Sequence, residues 1–241
     1  MHWIYLSPHL DDAVFSAGGL IYEQTCAGIP VEIWTIMSGF PGDGKWTDFV
    51  NSLHRAWGTT SADETVRIRR GENEKAADIL GAKVVDLDFI DGMYRRGPNG
   101  KALYSNSFMQ PHPLDAGLPV HIAEELTKRI HLEDAVVCQL ALGKHVDHVI
   151  VRQAAELLNR PLTYLADFPY CLDDPLKLWW ATLSMKPSLH TISEDGLHHW
   201  LDAMRSYDSQ IKVEFGNIER LEAKVTKYWK QHRGIRLWKR R

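Results

Sequence analysis

Short apolar runs alternate along the chain with longer amphipathic stretches. Residues 2–7, 31–38, 83–89, 135–142 and 162–166 are rich in apolar and β-branched side chains, and a further such run spans 189–192. Runs of this length, with little polar interruption, predict strands buried on both faces of a sheet. The stretches 12–27, 63–80, 119–131, 148–158, 197–212 and 218–231 are longer and mix apolar with polar positions, which predicts helices. Gly28 and Gly81 follow two of them, where a helix C-terminus favours glycine. Alternation of this kind predicts an α/β fold, a mostly parallel sheet covered by helices on both faces.

Two segments break the rhythm, 39–61 and 91–118, both rich in loop-forming residues. Each follows a predicted strand and therefore leaves the carboxyl edge of a parallel sheet, where open α/β folds bind ligands. Trp46, Trp57, Tyr94 and Tyr104 lie in or near these segments and suit stacking on a sugar ring, or ordinary packing. Trp179 and Trp180 read as packing residues. No repeat or linker divides the chain, so residues 1–241 read as one domain, with about 173–241 an extension packed on it with its own helices.

Composition narrows the class. With 241 residues, 44% hydrophobic and 24% charged, the chain has material for a sizeable core, which argues against disordered and fibrous readings. Formal charge is 28 − 31 = −3, so no overall field gathers nucleic acid or an anionic membrane. No apolar run approaches the roughly 18–20 residues of a membrane span, and the start lacks the pattern of a secretory signal, so a cytoplasmic setting is expected. Cys26, Cys138 and Cys171 are scattered, without a C-x-x-C pair, which predicts reduced and mostly buried thiols. Lys224 to Arg241 hold eight basic residues and no acid, which reads as a solvated helix face and a frayed end. The sequence leaves room for a homo-oligomer.

The histidines change the picture. Ser7-Pro8-His9-Leu10-Asp11-Asp12 lies where the first strand gives way to the first helix, and His145-Val146-Asp147-His148 lies in the same position after the fourth. Asp11 or Asp12 alone would read as a helix cap, but a cap needs one carboxylate and the pair repels. Two His/Asp groups at one sheet edge predict a metal site of imidazole and carboxylate ligands, suited to zinc or to Fe2+ and other divalent transition metals. Three such ligands leave a position open for water, the arrangement of a hydrolytic centre, and a remaining carboxylate can act as base. No G-x-S-x-G, P-loop or dinucleotide fingerprint competes with this reading.

Ser-Pro-His-Leu-Asp-Asp at 7–12, followed by Ser16-Ala17-Gly18-Gly19, resembles the P-H-x-D-D motif of the PIG-L or LmbE-like de-N-acetylases. His145-Val146-Asp147-His148 resembles their H-x-D-H motif, and Arg69-Arg70-Gly71-Glu72 their Arg/Glu helix. Asp91-Gly92 and Tyr207-Asp208-Ser209-Gln210 are similar less specifically, so the resemblance covers the chain to about residue 212. Leu10 stands where the family often has Pro, and Ala13 where an acid often follows the pair.

The resemblance implies a Rossmann-like fold and a zinc-dependent hydrolase acting on the amide of an N-acetylated amino sugar or its conjugate. It implies His9, Asp12 and His148 as metal ligands, Asp11 as general base, and His145 as acid or oxyanion stabiliser oriented by Asp147. Arg69, Arg70 and Asp91 are candidate substrate contacts. A charged helix face paired with Glu72 or Glu74 accounts equally for either arginine, and a turn accounts for Asp91. The expected partner is a small-molecule amino-sugar conjugate, with no nucleic acid. Alternatives are a metal-dependent hydrolase of another bond, such as a phosphoester, and a non-catalytic sugar or nucleotide binder.

Overall fold

The structure is a computed structural model describing residues 2–42 and 44–241; Met1 and Asp43, the latter inside the first long loop segment, lie outside the described residues. The expected strands form, as β1 (Trp3–Ser7), β2 (Val31–Thr35), β3 (Lys83–Asp86), β4 (Ala135–Gln139), β5 (Leu162–Leu165) and β6 (Met185–Thr191), and β7 (Gly234–Arg240) joins them. Their order is β3-β2-β1-β4-β5-β7-β6. The first five run parallel, and β7 is antiparallel to both of its neighbours.

Helices α1 (Asp12–Cys26), α2 (Asp48–Trp57), α3 (Ala62–Leu80), α4 (Leu118–Thr127), α5 (Val146–Leu157), α6 (Tyr170–Asp173), α7 (Pro175–Thr182), α8 (Glu194–Arg205), α9 (Asp208–Glu214) and α10 (Ile218–His232) fill the connections. Packing joins α1 to α3 and α8, and α4 to α5. Right-handed crossovers that proceed in opposite directions from β1 and β4 place these two groups on opposite faces of the sheet.

The strand order positions the chemistry. From β1 the chain moves outward through β2 and β3, then returns to β4 on the other side of β1. This reversal between β1 and β4 is a topological switch point, which opens a crevice at their carboxyl ends. Leu6 is level with Cys138 in the ladder, so the segments after both strands leave the sheet at the same height.

One buried cluster contains Ile4, Ile33, Val137, Trp200 and Leu237, and so unites the parallel sheet with the C-terminal helices and strand. The small residues of α1 make this contact close. A Cβ on Gly18 would lie 2.5 Å from Trp200 Cδ1, and the Trp200 indole N–H donates to Val14 O at 2.8 Å.

Several elements differ from expectation for identifiable reasons. The first long segment contains α2, with Thr47 accepting from the Val50 N–H at its start and left-handed Gly58 at its end. The helix expected over 197–212 is broken after Arg205 into α8 and α9. There the Tyr207 hydroxyl donates to Asn73 at 2.9 Å, and the Glu72 carboxylate accepts from the N–H and hydroxyl of Ser209.

The basic tail does not end as a frayed helix. Its last residues form β7, whose Ile235, Leu237 and Trp238 are buried while most of its basic side chains stay outside. Trp179 and Trp180 are not packed inside but exposed, in contact with each other at 4.8 Å between ring centroids. Cys138 and Cys171 are buried, Cys26 is exposed, and no disulfide forms among the described residues. Among these residues no helix is long and apolar enough to cross a membrane.

Candidate active site

The two histidine motifs enter the crevice from β1 and β4. In the first, capping falls to Ser7, whose hydroxyl accepts the Ala13 N–H at 3.0 Å. Asp11 occupies the N-cap position without a side-chain cap bond, and Asp12 accepts the His9 N–H at 2.8 Å. Asp11 therefore remains available for chemistry. In the second motif His145 is the N-cap of α5, its Nδ1 accepting the Asp147 N–H at 3.3 Å, with His148 one turn further on.

The motifs converge on one atom. Asp12 Oδ2 lies 3.2 Å from His9 Nδ1 and 3.3 Å from His148 Nε2. Ring nitrogens of His9, His145 and His148 lie within 4.8 Å of one another. Two imidazoles and a carboxylate oxygen meeting beside a cavity fit a divalent transition metal, and a third imidazole stands close enough to act on whatever binds next to it. Carboxylates also surround the imidazoles. Asp167 Oδ1 is 2.9 Å from His148 Nδ1, Asp147 Oδ2 is 3.1 Å from His9 Nε2, and Asp91 Oδ2 is 3.7 Å from that same nitrogen.

Charge reinforces the arrangement. Burial disfavours an ionised Asp12, yet His148 and His9 hold its carboxyl well below the usual range. Burial likewise opposes charge on His148, but Asp12 and Asp167 push it up to about 9. A set of imidazoles that acids hold in the cationic state is one where a cation can replace protons. His145 behaves oppositely: burial, then His9 and His148, push it well below its ordinary value, so its ring is neutral. With Nδ1 accepting from the main chain, the ring carries its proton on Nε2. Asp11 is raised, first by burial and against the pull of Arg69.

Asp147 is fully buried, and its carboxylate turns to His9 rather than to His145. It also accepts the Gly92 N–H at 2.9 Å and meets Arg95 Nη2 at 2.6 Å. Its side chain thus supports His9, and the orientation of His145 comes from the Asp147 main chain. This corrects the partner expected for Asp147: as the second residue of the helix it points away from the cap.

Arg69 and Arg70 part company because adjacent residues on a helix point about 100° apart. Arg69 lines the cavity and reaches Asp11 Oδ1 at 3.2 Å. Arg70 binds Ser38 O at 2.6 Å and pairs with Asp86 and Asp88, outside the cavity lining, which removes it from the candidate substrate contacts. Asp91 lines the cavity and also forms its turn, accepting the Met93 N–H at 3.0 Å.

The cavity measures about 300 Å³. Trp57 lies on its wall with Phe49 and Leu53 of α2, and Phe108 and Tyr170 also line it. Trp46, Tyr94 and Tyr104 do not line it. Tyr94 is buried at 2.7 Å from His54 with Trp46 packed on it, and Tyr104 donates to Asp115 at 2.6 Å. Asp167, Arg95, Tyr170 and Glu214 were not singled out by their sequence context. Of these, Asp167 carried a usable signal, an acid two residues past a buried parallel strand.

Comparison with known proteins bears on the fold and the family. The 2'-N-acetylparomamine deacetylase of Niallia circulans is 22% identical over an alignment covering 98% of this chain and 93% of that protein. The zinc-inhibited form of teicoplanin deacetylase superposes with a TM-score of 0.85 at 23% identity, covering 99% of this chain and 97% of that one. N,N'-diacetylchitobiose deacetylase of Pyrococcus horikoshii has a TM-score of 0.58 at 18% identity, covering 99% and 82%. At these identities the structural likenesses speak to the fold. Residues 4–158, which hold both histidine motifs, match GlcNAc-PI de-N-acetylase, and the chain belongs to that family, PIG-L.

Proposed function

We propose that this protein is a zinc-dependent de-N-acetylase that removes the acetyl group from an N-acetylated amino sugar or its conjugate. The observation that carries the reading is the convergence of His9 and His148 on Asp12 Oδ2, with Asp11 beside the set and free of capping. His9, Asp12 and His148 would hold the ion; zinc suits these donors, and Fe2+ is the nearest substitute. When bound, the ion supplies Lewis acidity and lowers the pKa of water.

The chain's own groups do the rest. Asp11, raised by burial and held by Arg69, takes the proton of the attacking water. The Nε2–H of neutral His145 donates to the carbonyl oxygen as negative charge develops there. The proton on Asp11 then passes to the departing nitrogen, so water is consumed, the C–N bond breaks, and acetate and an amine leave. Asp147 and Asp167 hold the imidazoles of His9 and His148 in place.

The C-terminal extension takes part, since Gln210 and Glu214 line the same cavity as His9; the chain acts as one unit. A phosphoester fits less well, because the lining offers Asp11, Asp12, Asp91 and Glu214 against the single guanidinium of Arg69. The proposed setting is the cytoplasm, in keeping with thiols that form no disulfide among the described residues. Acetate release from a panel of N-acetylglucosamine conjugates, with metal analysis of the same preparation, tests the reading. Release of acetate by protein holding about one ion per chain supports it, and full metal content without release from any conjugate contradicts it.

A further inference from the structure

The Tyr207-Asp208-Ser209-Gln210 segment performs none of the steps above, yet it is fastened to the helix that holds Asp11. Arg69, Glu72 and Asn73 stand three and four residues apart and share one face of α3. Arg69 reaches Asp11, Asn73 accepts from the buried Tyr207 hydroxyl at 2.9 Å, and Glu72 takes Ser209. The start of α9 is thereby fixed.

Gln210 follows on the cavity wall and is 3% exposed. Its amide has a defined direction. Glu72 Oε1 accepts the Ser209 N–H at 2.8 Å, and Glu72 Oε2 accepts the Ser209 hydroxyl at 2.6 Å. With its proton committed there, Ser209 Oγ can only accept from Gln210, whose Nε2 donates to it at 2.8 Å. This relay turns Gln210 Oε1 the other way. Among the described residues that oxygen has no hydrogen-bond partner, and it is not sealed inside the protein, so it opens on the cavity that Gln210 lines.

We propose that Gln210 is a specificity-determining residue whose Oε1 accepts a hydrogen bond from a hydroxyl of the substrate sugar, with Ser209 and Glu72 as positioning residues that hold the amide in that sense. This rests on the deacetylase reading and names the substrate feature that the same cavity selects. A neutral donor suits it, because Asp91 and Glu214 in the cavity are the stronger partners for an ammonium group. A contact with the N–H of the reacting amide is the competing role.

The test uses the full-length, metal-loaded protein with the methyl β-glycoside of N-acetylglucosamine and its 3-, 4- and 6-deoxyfluoro forms. Fluorine in place of a hydroxyl keeps the size of the group and cannot donate. One fluoro form should lose about tenfold or more in kcat/KM against the parent sugar in the wild type, the scale of leaving a buried acceptor unpaired. In Gln210→Met, which keeps the side-chain length and removes the acceptor, that ratio should shrink to about threefold or less. Glu72→Gln should shrink it too, because its amide donates to Ser209 Oγ, the Ser209 hydroxyl then donates to Gln210, and the Gln210 amide presents N–H to the cavity. Thermal unfolding checks both variants, and Glu72→Gln decides alone if Gln210→Met does not fold. No penalty on any fluoro form in the wild type, or an equal loss on all four sugars in Gln210→Met, overturns the role of Gln210. An undiminished penalty in Glu72→Gln overturns the relay. If the wild type releases acetate from none of the sugars, the deacetylase reading fails on these substrates, and calorimetric binding of the four free amines decides for Gln210. No binding by the wild type, or the same fluorine penalty in Gln210→Met, then overturns the proposal.

Discussion

Arg95 Nη2 meets Asp147 Oδ1 at 2.6 Å, with the arginine side chain 9% exposed and the aspartate 0%. Arg95 also reaches Asp115 Oδ2 at 2.9 Å, and so ties the second long loop to the carboxylate behind His9. Arg95 and His9 hold the Asp147 carboxyl well below the usual range, against the effect of burial. Replacing Arg95 by Leu leaves that buried charge with only His9 and the Gly92 N–H as partners, and leaves Asp115 without its arginine. The expected loss is about 3–5 kcal/mol, the scale for breaking a buried pair from one side. Denaturant unfolding measures it, and a loss under about 1 kcal/mol would show that the pair contributes little.

Asp167 supports His148 from behind, and its second oxygen accepts the Leu142 N–H at 3.1 Å. Asp167→Asn should weaken metal affinity by about 10–100-fold, as removal of such outer carboxylates does elsewhere. His9→Ala, Asp12→Ala and His148→Ala should each lower occupancy more severely. Chelator competition followed by metal analysis gives both results, and full occupancy in all three alanine variants is incompatible with the assigned ligands.

Asp11→Asn and His145→Ala should keep the metal and lose about 100-fold or more in kcat, the range for a positioned base or oxyanion donor. Metal content and kcat are to be read on the same preparations. Loss of metal from His145→Ala, with retention in His148→Ala, would reverse the roles given to the two histidines.

The parallel strands and both histidine motifs were legible in the sequence because their signals are local. An apolar run followed at once by His and Asp marks both a strand and the edge where it ends. Tertiary features were harder to see. Helix α2 was obscured because Asn51, His54 and Arg55 dilute its apolar face of Phe49, Val50, Leu53 and Trp57. Strand β7 was hidden by its basic residues, which sit outside while Ile235, Leu237 and Trp238 go inward. The break at Tyr207 depends on Asn73 and Glu72, more than a hundred residues away. Arg95 looked like any loop arginine until folding set it between Asp115 and Asp147.

Loop aromatics should govern which conjugate is accepted, but the side chain concerned is Trp57 and not Trp46 or Tyr94. Trp57 lines the cavity with Arg69 over its ring at 5.5 Å, whereas Trp46 and Tyr94 pack on one another and do not line it. Trp57→Ala should change relative kcat/KM across conjugates, because remote contacts and not the hydrolytic groups discriminate the aglycone. Trp46→Ala should leave those ratios alone and lower the unfolding midpoint. Equal scaling of every substrate by Trp57→Ala would assign that residue to stability instead.

The most direct measurement is the stoichiometry of acetate and free amine released from an N-acetylated amino-sugar conjugate, followed through chelation and metal restoration. The account predicts one acetate per amine, loss of turnover on chelation, and recovery when zinc is returned at about one ion per chain. Turnover that persists undiminished in the fully chelated protein, or its absence from protein shown to hold the metal, would contradict it.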